Sequence, residues 1–332
     1  MSALPKLDYP DGLLTVIFID DGSTDSSTDF LRNRVAGKRN WYLLSLGQSV
    51  GKAAALNRAL DTFSPGEIVA IYDADECPQP DALKRLIYVF EAGSVGGVSG
   101  RRIVVNPLDS PAASYTAFEG LVHQLVTMRA KDRLNLAPAL LGSNCAYRRQ
   151  ALAQAGNFES GALLEDSDLT LKLARSGWQL RFEPKAVSYH DVPRTISGYW
   201  RQHTRWARGF NEVAKTQLNS VLFADRLPLP LRLELVFFAW GYLDRLALLL
   251  AGALLFLGRI KRPLTWIVPL SLVTPLLQIV AALRIDRAPL ALWARLIWVP
   301  VFFAIDMAMA ATGFWHTLKK SPPIWEERRI RT

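Results

Sequence analysis

Ile68-Val69-Ala70-Ile71-Tyr72-Asp73-Ala74-Asp75 is the stretch from which the rest of this chain can be read. Following the turn Ser64-Pro65-Gly66, its apolar run predicts a short β-strand covered on both faces. It ends on two carboxylates. In extended chain Asp73 and Asp75 share one side of the strand. Hard oxygen donors at a strand's C-terminal end, where open α/β sheets bind ligands, can hold Mg²⁺ or Mn²⁺ against a diphosphate. The same pair also reads as a solvated strand end.

Upstream, Leu13-Leu14-Thr15-Val16-Ile17-Phe18-Ile19 predicts another strand, and Asp20-Asp21-Gly22-Ser23-Thr24-Asp25 an acidic turn. Ser23 or Thr24 would cap a helix running to about Val35. An acidic turn disfavours phosphate at that helix start and suits a nucleoside, whose base N–H and ribose hydroxyls donate to carboxylates; an ordinary capped turn would look the same. Asn40-Trp41-Tyr42-Leu43-Leu44 is a further strand. Gly51-Lys52 opens an alanine-rich helix, with Lys52 placed either to meet an anion or to face solvent. Residues 80–92 predict a helix and 95–105 a strand. Strands alternating with helices give an α/β class with a Rossmann-like, doubly wound mixed sheet.

Leu140-Leu141-Gly142-Ser143-Asn144-Cys145-Ala146-Tyr147 is a small-residue loop entering a strand. Leu163-Leu164-Glu165-Asp166-Ser167-Asp168-Leu169 leads a helix that stops at Ser176-Gly177. A carboxylate there is either a cap or a general base kept ionised by the helix field. In Tyr199-Trp200-Arg201-Gln202-His203-Thr204-Arg205-Trp206, helical spacing puts Gln202, Arg205 and Trp206 on one face. Amide, guanidinium and indole side by side suit a sugar ring and a phosphate; a membrane-surface helix with snorkelling arginines fits as well.

Half of the 332 residues are hydrophobic and the net charge is +9. Residues 233–318 are far more apolar than the rest, and Arg194, Arg201, Arg205, Arg208, Lys215, Arg226 and Arg232 lie just before or at their edge. That juxtaposition points to anionic membrane lipids and away from nucleic acid. Cys77 and Cys145 make no disulfide framework, which suits a reducing compartment. Residues 263–283 carry no charge and 296–315 only Asp306, so each can span a bilayer. Residues 235–257 contain Asp244-Arg245 and are expected at the interface or re-entrant. Two spans then keep Arg259, Lys261, Arg262 and the basic tail on the cytoplasmic side. The expected organisation is 1–192 catalytic, 193–232 interfacial helices, 233–318 membrane region and 319–332 basic tail.

These motifs, in this order and followed by apolar segments, resemble the family 2 glycosyltransferases of GT-A fold, among them cellulose, hyaluronan and poly-N-acetylglucosamine synthases. The resemblance implies a multi-pass enzyme of the cytoplasmic membrane, with its catalytic domain in the cytoplasm. It would move a sugar, with inversion, from a UDP-sugar to a growing polysaccharide, with Mg²⁺ or Mn²⁺ and with room for an accessory synthase subunit. It assigns Asp20, Asp21, Lys52, Asp73 and Asp75 to the nucleotide-sugar, with Asp75 on the metal. Asp166 becomes the base, and Glu165, Gln202, Arg205 and Trp206 face the diphosphate and acceptor. A glycolipid-forming enzyme and an inactive fragment are the competing readings. The family's first strand and helix have no counterpart before Leu7, so a weakened sheet and weak UDP binding are expected of these 332 residues.

Overall fold

The computed structural model describes residues 3–63, 66–225, 227–258 and 266–319. The Ser64-Pro65 turn, Arg226, the Arg259, Lys261 and Arg262 cluster and the tail from Lys320 lie outside these residues.

The α/β expectation holds. β1 (Val16–Asp20) leads through the acidic turn to α1 (Ser27–Val35), and β2 (Trp41–Ser45) to α2 (Lys52–Thr62). β3 (Ile68–Ile71) is followed by β4 (Cys77–Pro78), α3 (Ala82–Tyr88) and the long β5 (Val95–Val104). Next come α4 (Pro111–Leu121), a π-helical stretch Val122–Met128, α5 (Arg129–Arg133), β6 (Cys145–Arg148) and α6 (Arg149–Ala155). α7 (Glu165–Arg175), β7 (Gln179–His190) and the 27-residue α8 (Ile196–Leu222) follow.

Two sequence expectations are corrected. β3 ends at Ile71, and residues 73–76 turn back with the Glu76 amide on the Asp73 carbonyl at 3.0 Å. The side-chain parity of an extended strand therefore does not govern Asp73 and Asp75. Helix α1 begins at Ser27 rather than beside Ser23, because the Ser23 amide donates to Asp20 Oδ1 at 3.0 Å.

The sheet is in two pieces. β1 and β2 pair in parallel; the mixed five-stranded sheet runs β3-β6-β5-β7-β4. β1 and β3 each close one edge of their own sheet, so one row of backbone groups on each has no ladder partner among the described residues. The core lies on the larger sheet, where Tyr147, Leu152, Leu169, Leu171 and Leu173 are buried between sheet, α6 and α7.

The C-terminal part comprises α9 (Leu229–Ala239), α10 (Leu243–Phe256), α11 (Ile267–Asp286), α12 (Leu290–Trp293) and α13 (Val299–Leu318). Among the described residues one continuous helix, Leu290–Leu318, is long and apolar enough to cross a membrane. α9 and α10 reach that composition only together and are bent by 67°, the form of a broken span or a re-entrant loop. A second cluster joins α4 and α8 to α11 and α13 through Tyr115, Phe118, Tyr199, Leu283 and Phe302. The Arg101–Asp286 ion pair and the Arg295 bond to the Leu108 carbonyl (3.0 Å) hold the α11–α12 turn against the catalytic part. Two successive spans over 263–283 and 296–315 would need that turn on the far side. The anchored charges are at odds with that order.

Candidate active site

The site is assembled by a lysine. Lys52, the first residue of α2, points its Nζ at Asp73 Oδ1 (2.7 Å), Glu165 Oε1 (3.3 Å) and the Gly142 carbonyl (2.9 Å). Three distant segments therefore meet at one ammonium: the end of β3, the 140–144 loop and the start of α7. Burial works against its charge, but Asp73 first and then Glu165 raise its pKa above the ordinary lysine value. It is a fixed cation.

The loop closes the arrangement. Ser143 Oγ accepts from the Asp73 amide at 2.8 Å. Gly142 has φ +68°, and a Cβ there would stand 2.9 Å from Asp166 Oδ2. A side chain would be strained and would push on the carboxylate. Asp166 Oδ1 accepts from its neighbour's amide, Ser167 N, at 2.7 Å. Burial, and next the adjacent Glu165, push the Asp166 carboxyl up to about 7, against the pull of Lys52. A carboxylate poised near neutrality can take a proton from a hydroxyl and release it again.

Asp20 and Asp21 build the neighbouring wall. Asp20 is buried and accepts from Ser23 N, Thr28 Oγ1 and Ser45 Oγ. Asp21 accepts from Val50 N (2.7 Å), Gly51 N (2.9 Å) and Ser49 Oγ (2.9 Å). That loop crosses directly over Gly22, where a Cβ would lie 2.5 Å from Ser49 N. Here both carboxylates bond protein groups, and a nucleoside would have to share or displace those bonds.

Gln202, Arg205 and Trp206 follow one another on α8 at helical spacing. What joins them to the carboxylate cluster is the packing of α8 on α7. Gly209 meets Leu164, the residue before Glu165, so closely that a Cβ would be 2.4 Å from Leu164 Cγ. Gln217 Nε2 donates to Asp168 Oδ1 at 2.6 Å, and Trp206 packs on the core that holds Leu164. Gly209→Val should accordingly cost about 1–3 kcal/mol by overpacking. A denaturant midpoint in detergent equal to wild type would show that the helices separate freely.

Sequence reading missed two features. Glu76, next to Asp75, is buried and paired with Arg102 of β5. Burial first, opposed by Arg102, pushes its carboxyl up to about 7. Its adjacency to Asp73-Ala74-Asp75 was the available signal. The second is the group around His203 and Asp306, on helices far apart in sequence, for which no local signal exists.

A divalent cation fits the donors present. Among the described residues no three His, Cys, Asp or Glu side chains form a metal cage. One or two carboxylates completed by phosphate oxygens and water is the usual Mg²⁺ arrangement at a nucleotide; Asp75 would be the donor, since Asp73 Oδ1 is held by Lys52.

The family model for "Glycosyl transferase family group 2" matches residues 68–318, from the strand leading to Asp73 to the end of the apolar helix. The chain belongs to that family. Among related proteins, this family 2 glycosyltransferase is 28% identical over 214 residues to the probable glycosyltransferase YdaM of Bacillus subtilis (strain 168). The match covers 63% of this chain and 50% of YdaM. It is 24% identical over 235 residues to the poly-beta-1,6-N-acetyl-D-glucosamine synthase of Staphylococcus aureus (strain COL), covering 69% of this chain and 55% of that protein. The chain thus spans about half the length of these curated relatives. Among solved structures, the mannosyltransferase PcManGT of Pyrobaculum calidifontis, in complex with GDP-Man and Mn²⁺, superposes with a TM-score of 0.63 at 22% identity. That superposition covers 97% of this chain and 82% of PcManGT. S. aureus TarS 1-349, in complex with UDP-GlcNAc, gives 0.52 at 16% identity over 96% and 86% of the two chains. The fold is GT-A.

Proposed function

We propose that this chain is the catalytic part of an inverting, metal-dependent glycosyltransferase that moves a sugar from a UDP-sugar to a growing polysaccharide at the cytoplasmic face of a membrane. The observation that carries the reading is the convergence of Asp73, the Gly142–Ser143 loop, Glu165 and Asp166 on Lys52. Asp166 takes the proton of the acceptor hydroxyl, whose oxygen forms the new bond to the anomeric carbon as the bond to the diphosphate breaks on the opposite face. Lys52 keeps Asp73 and Glu165 in register, and Arg205 faces the negative charge that grows on the leaving diphosphate. A divalent cation held by Asp75 would supply further stabilisation of that charge. Gln202 and Trp206 hold the acceptor sugar, the indole stacking on its ring. No covalent nucleophile is required.

The donor class is supported by the names of the relatives: TarS is solved with UDP-GlcNAc, and the S. aureus synthase is named for an N-acetylglucosamine polymer. The test is a panel of UDP-sugars, with GDP-mannose as the contrast because PcManGT holds it, followed by sizing of the product in membranes. A polymer from one UDP-sugar is the expected result; a single-sugar lipid product would replace the polysaccharide by a glycolipid. Activity should require Mg²⁺ or Mn²⁺, and Asp75→Ala should remove activity and metal response together. Undiminished turnover in excess chelator would refute the metal role.

For the membrane, we take the anchored α11–α12 turn to lie on the catalytic side, with α9–α10 at the interface. A cysteine at Ala288, in that turn, should resist an impermeant thiol reagent applied to intact cells. Labelling from outside would overturn this orientation.

A further inference from the structure

His203 lies between Gln202 and Arg205 and is 2% exposed. Its Nδ1 is 3.0 Å from the Tyr199 carbonyl and its Nε2 3.0 Å from Glu119 Oε2. A carbonyl only accepts, so Nδ1 must donate. Glu119 keeps 30% of its side chain exposed, and its Oε2 is the carboxylate oxygen that Nε2 faces. Both nitrogens thus face oxygens, and the imidazolium is the form that can donate from each of them. Its face stacks on Tyr199 at 3.8 Å between centroids, and it meets the Trp206 ring at 4.6 Å and 62°.

We propose that His203 is a positioning residue of the transfer reaction: clamped as a cation between the Tyr199 carbonyl and Glu119, it holds the Trp206 indole in its acceptor-facing orientation. This rests on the acceptor role given to Trp206 above. A cation against an indole is attractive, and more so when water is excluded. A neutral ring would leave one nitrogen without a proton to donate to its acceptor.

The neighbours support a charged ring. Glu119 reaches it from α4, and Asp306 of α13 adds to its field. Asp306 accepts from Tyr115 Oη at 3.1 Å and from the Tyr199 hydroxyl. Tyr242 and Arg245 of α10 stand in the field of the same two carboxylates. Burial alone would neutralise His203, but Glu119 first and Asp306 next raise its pKa above the ordinary 6.5. The clamp is therefore complete below that value and is lost as pH rises through the raised one. α13 carries the clamp's far wall and touches α8 backbone beneath it, where a Cβ on Gly313 would be 3.1 Å from Arg208 N. The apolar C-terminal helix is thereby part of the support of Trp206.

The test has two arms on the full chain in detergent. An imidazolium quenches indole emission, so the difference between wild-type and Trp206→Phe fluorescence isolates Trp206. From about pH 5 to about pH 10 that signal should stay quenched and then rise. Glu119→Gln, which keeps shape and removes the counter-charge, should move the rise to lower pH, and His203→Phe should abolish it. In the second arm, Glu119→Gln and His203→Phe should raise the acceptor KM about tenfold with UDP affinity changed less than about twofold. The UDP measurement also reports whether each variant is folded, and Glu119→Gln remains informative if His203→Phe does not fold. A flat fluorescence titration overturns the cationic clamp. Unchanged acceptor KM with intact UDP binding overturns the positioning role. Failure of wild type to use any UDP-sugar would instead sink the transferase reading, and the fluorescence arm, which needs no turnover, tells the two apart.

Discussion

Replacing Asp166 by Asn should stop transfer while leaving UDP binding within a few-fold of wild type. Asn has the same size, so Gly142 and the start of α7 need not move, and Ser167 N keeps an oxygen acceptor. What disappears is the capacity to take a proton, a loss of about 10²–10⁴-fold for a general base. Binding is expected to survive because Asp166 makes none of the bonds that hold Asp20, Asp21 and Asp73, the carboxylates proposed for the nucleotide. Single-turnover rates beside calorimetric UDP titration separate the two quantities. A mutant retaining more than about a tenth of wild-type turnover would remove Asp166 from the base role.

Lys52→Met should be the next most damaging change, and its signature is a displaced pH profile. Lys52 is the group that lowers the Asp166 pKa, so its removal raises that pKa further above about 7. In the proposed reaction the ionised carboxylate takes the proton, and at neutral pH less of it would be present. Each unit of upward shift removes about tenfold of the rate on the acid side. The acid limb should therefore move to higher pH, with part of the activity regained under alkaline conditions. Stability follows the same sign. A carboxyl whose pKa is higher folded than unfolded favours the fold while protonated, and loses that contribution as pH rises from 3.8 through about 7. Lys52→Met widens this window and leaves Asp73 and Glu165 without their shared counter-charge. Breaking a fully buried pair costs about 3–5 kcal/mol. With Lys52 and Asp73 each 34% exposed, solvent screening brings that down to about 1–2 kcal/mol. An unshifted acid limb would show that Lys52 does not set the charge of Asp166.

Much of the fold could be read locally. Apolar runs marked β1, β2, β3 and β5, and Glu165 and Gly177 bracket α7, because strand burial and helix ends are written in neighbouring residues. Asp73, Asp166 and the Gln202–Trp206 face could be nominated from sequence for the same reason: each motif lies in one short local stretch. Lys52 could be named as a cation near a helix start, but not as the hub. That required three loops to converge across 21, 90 and 113 positions of chain, which local pattern does not encode. Tertiary packing also turned the chain after Ile71, cancelling the strand parity of Asp73 and Asp75. It satisfied Asp20 and Asp21 with backbone and hydroxyl donors, and it anchored the α11–α12 turn by an ion pair to β5. His203 is the clearest case. In sequence it is one of two residues between Gln202 and Arg205 to which local pattern gives no role. Its charge is decided by Glu119 and Asp306, 84 and 103 residues away, because a buried ring takes its protonation state from the acceptors that packing brings to it.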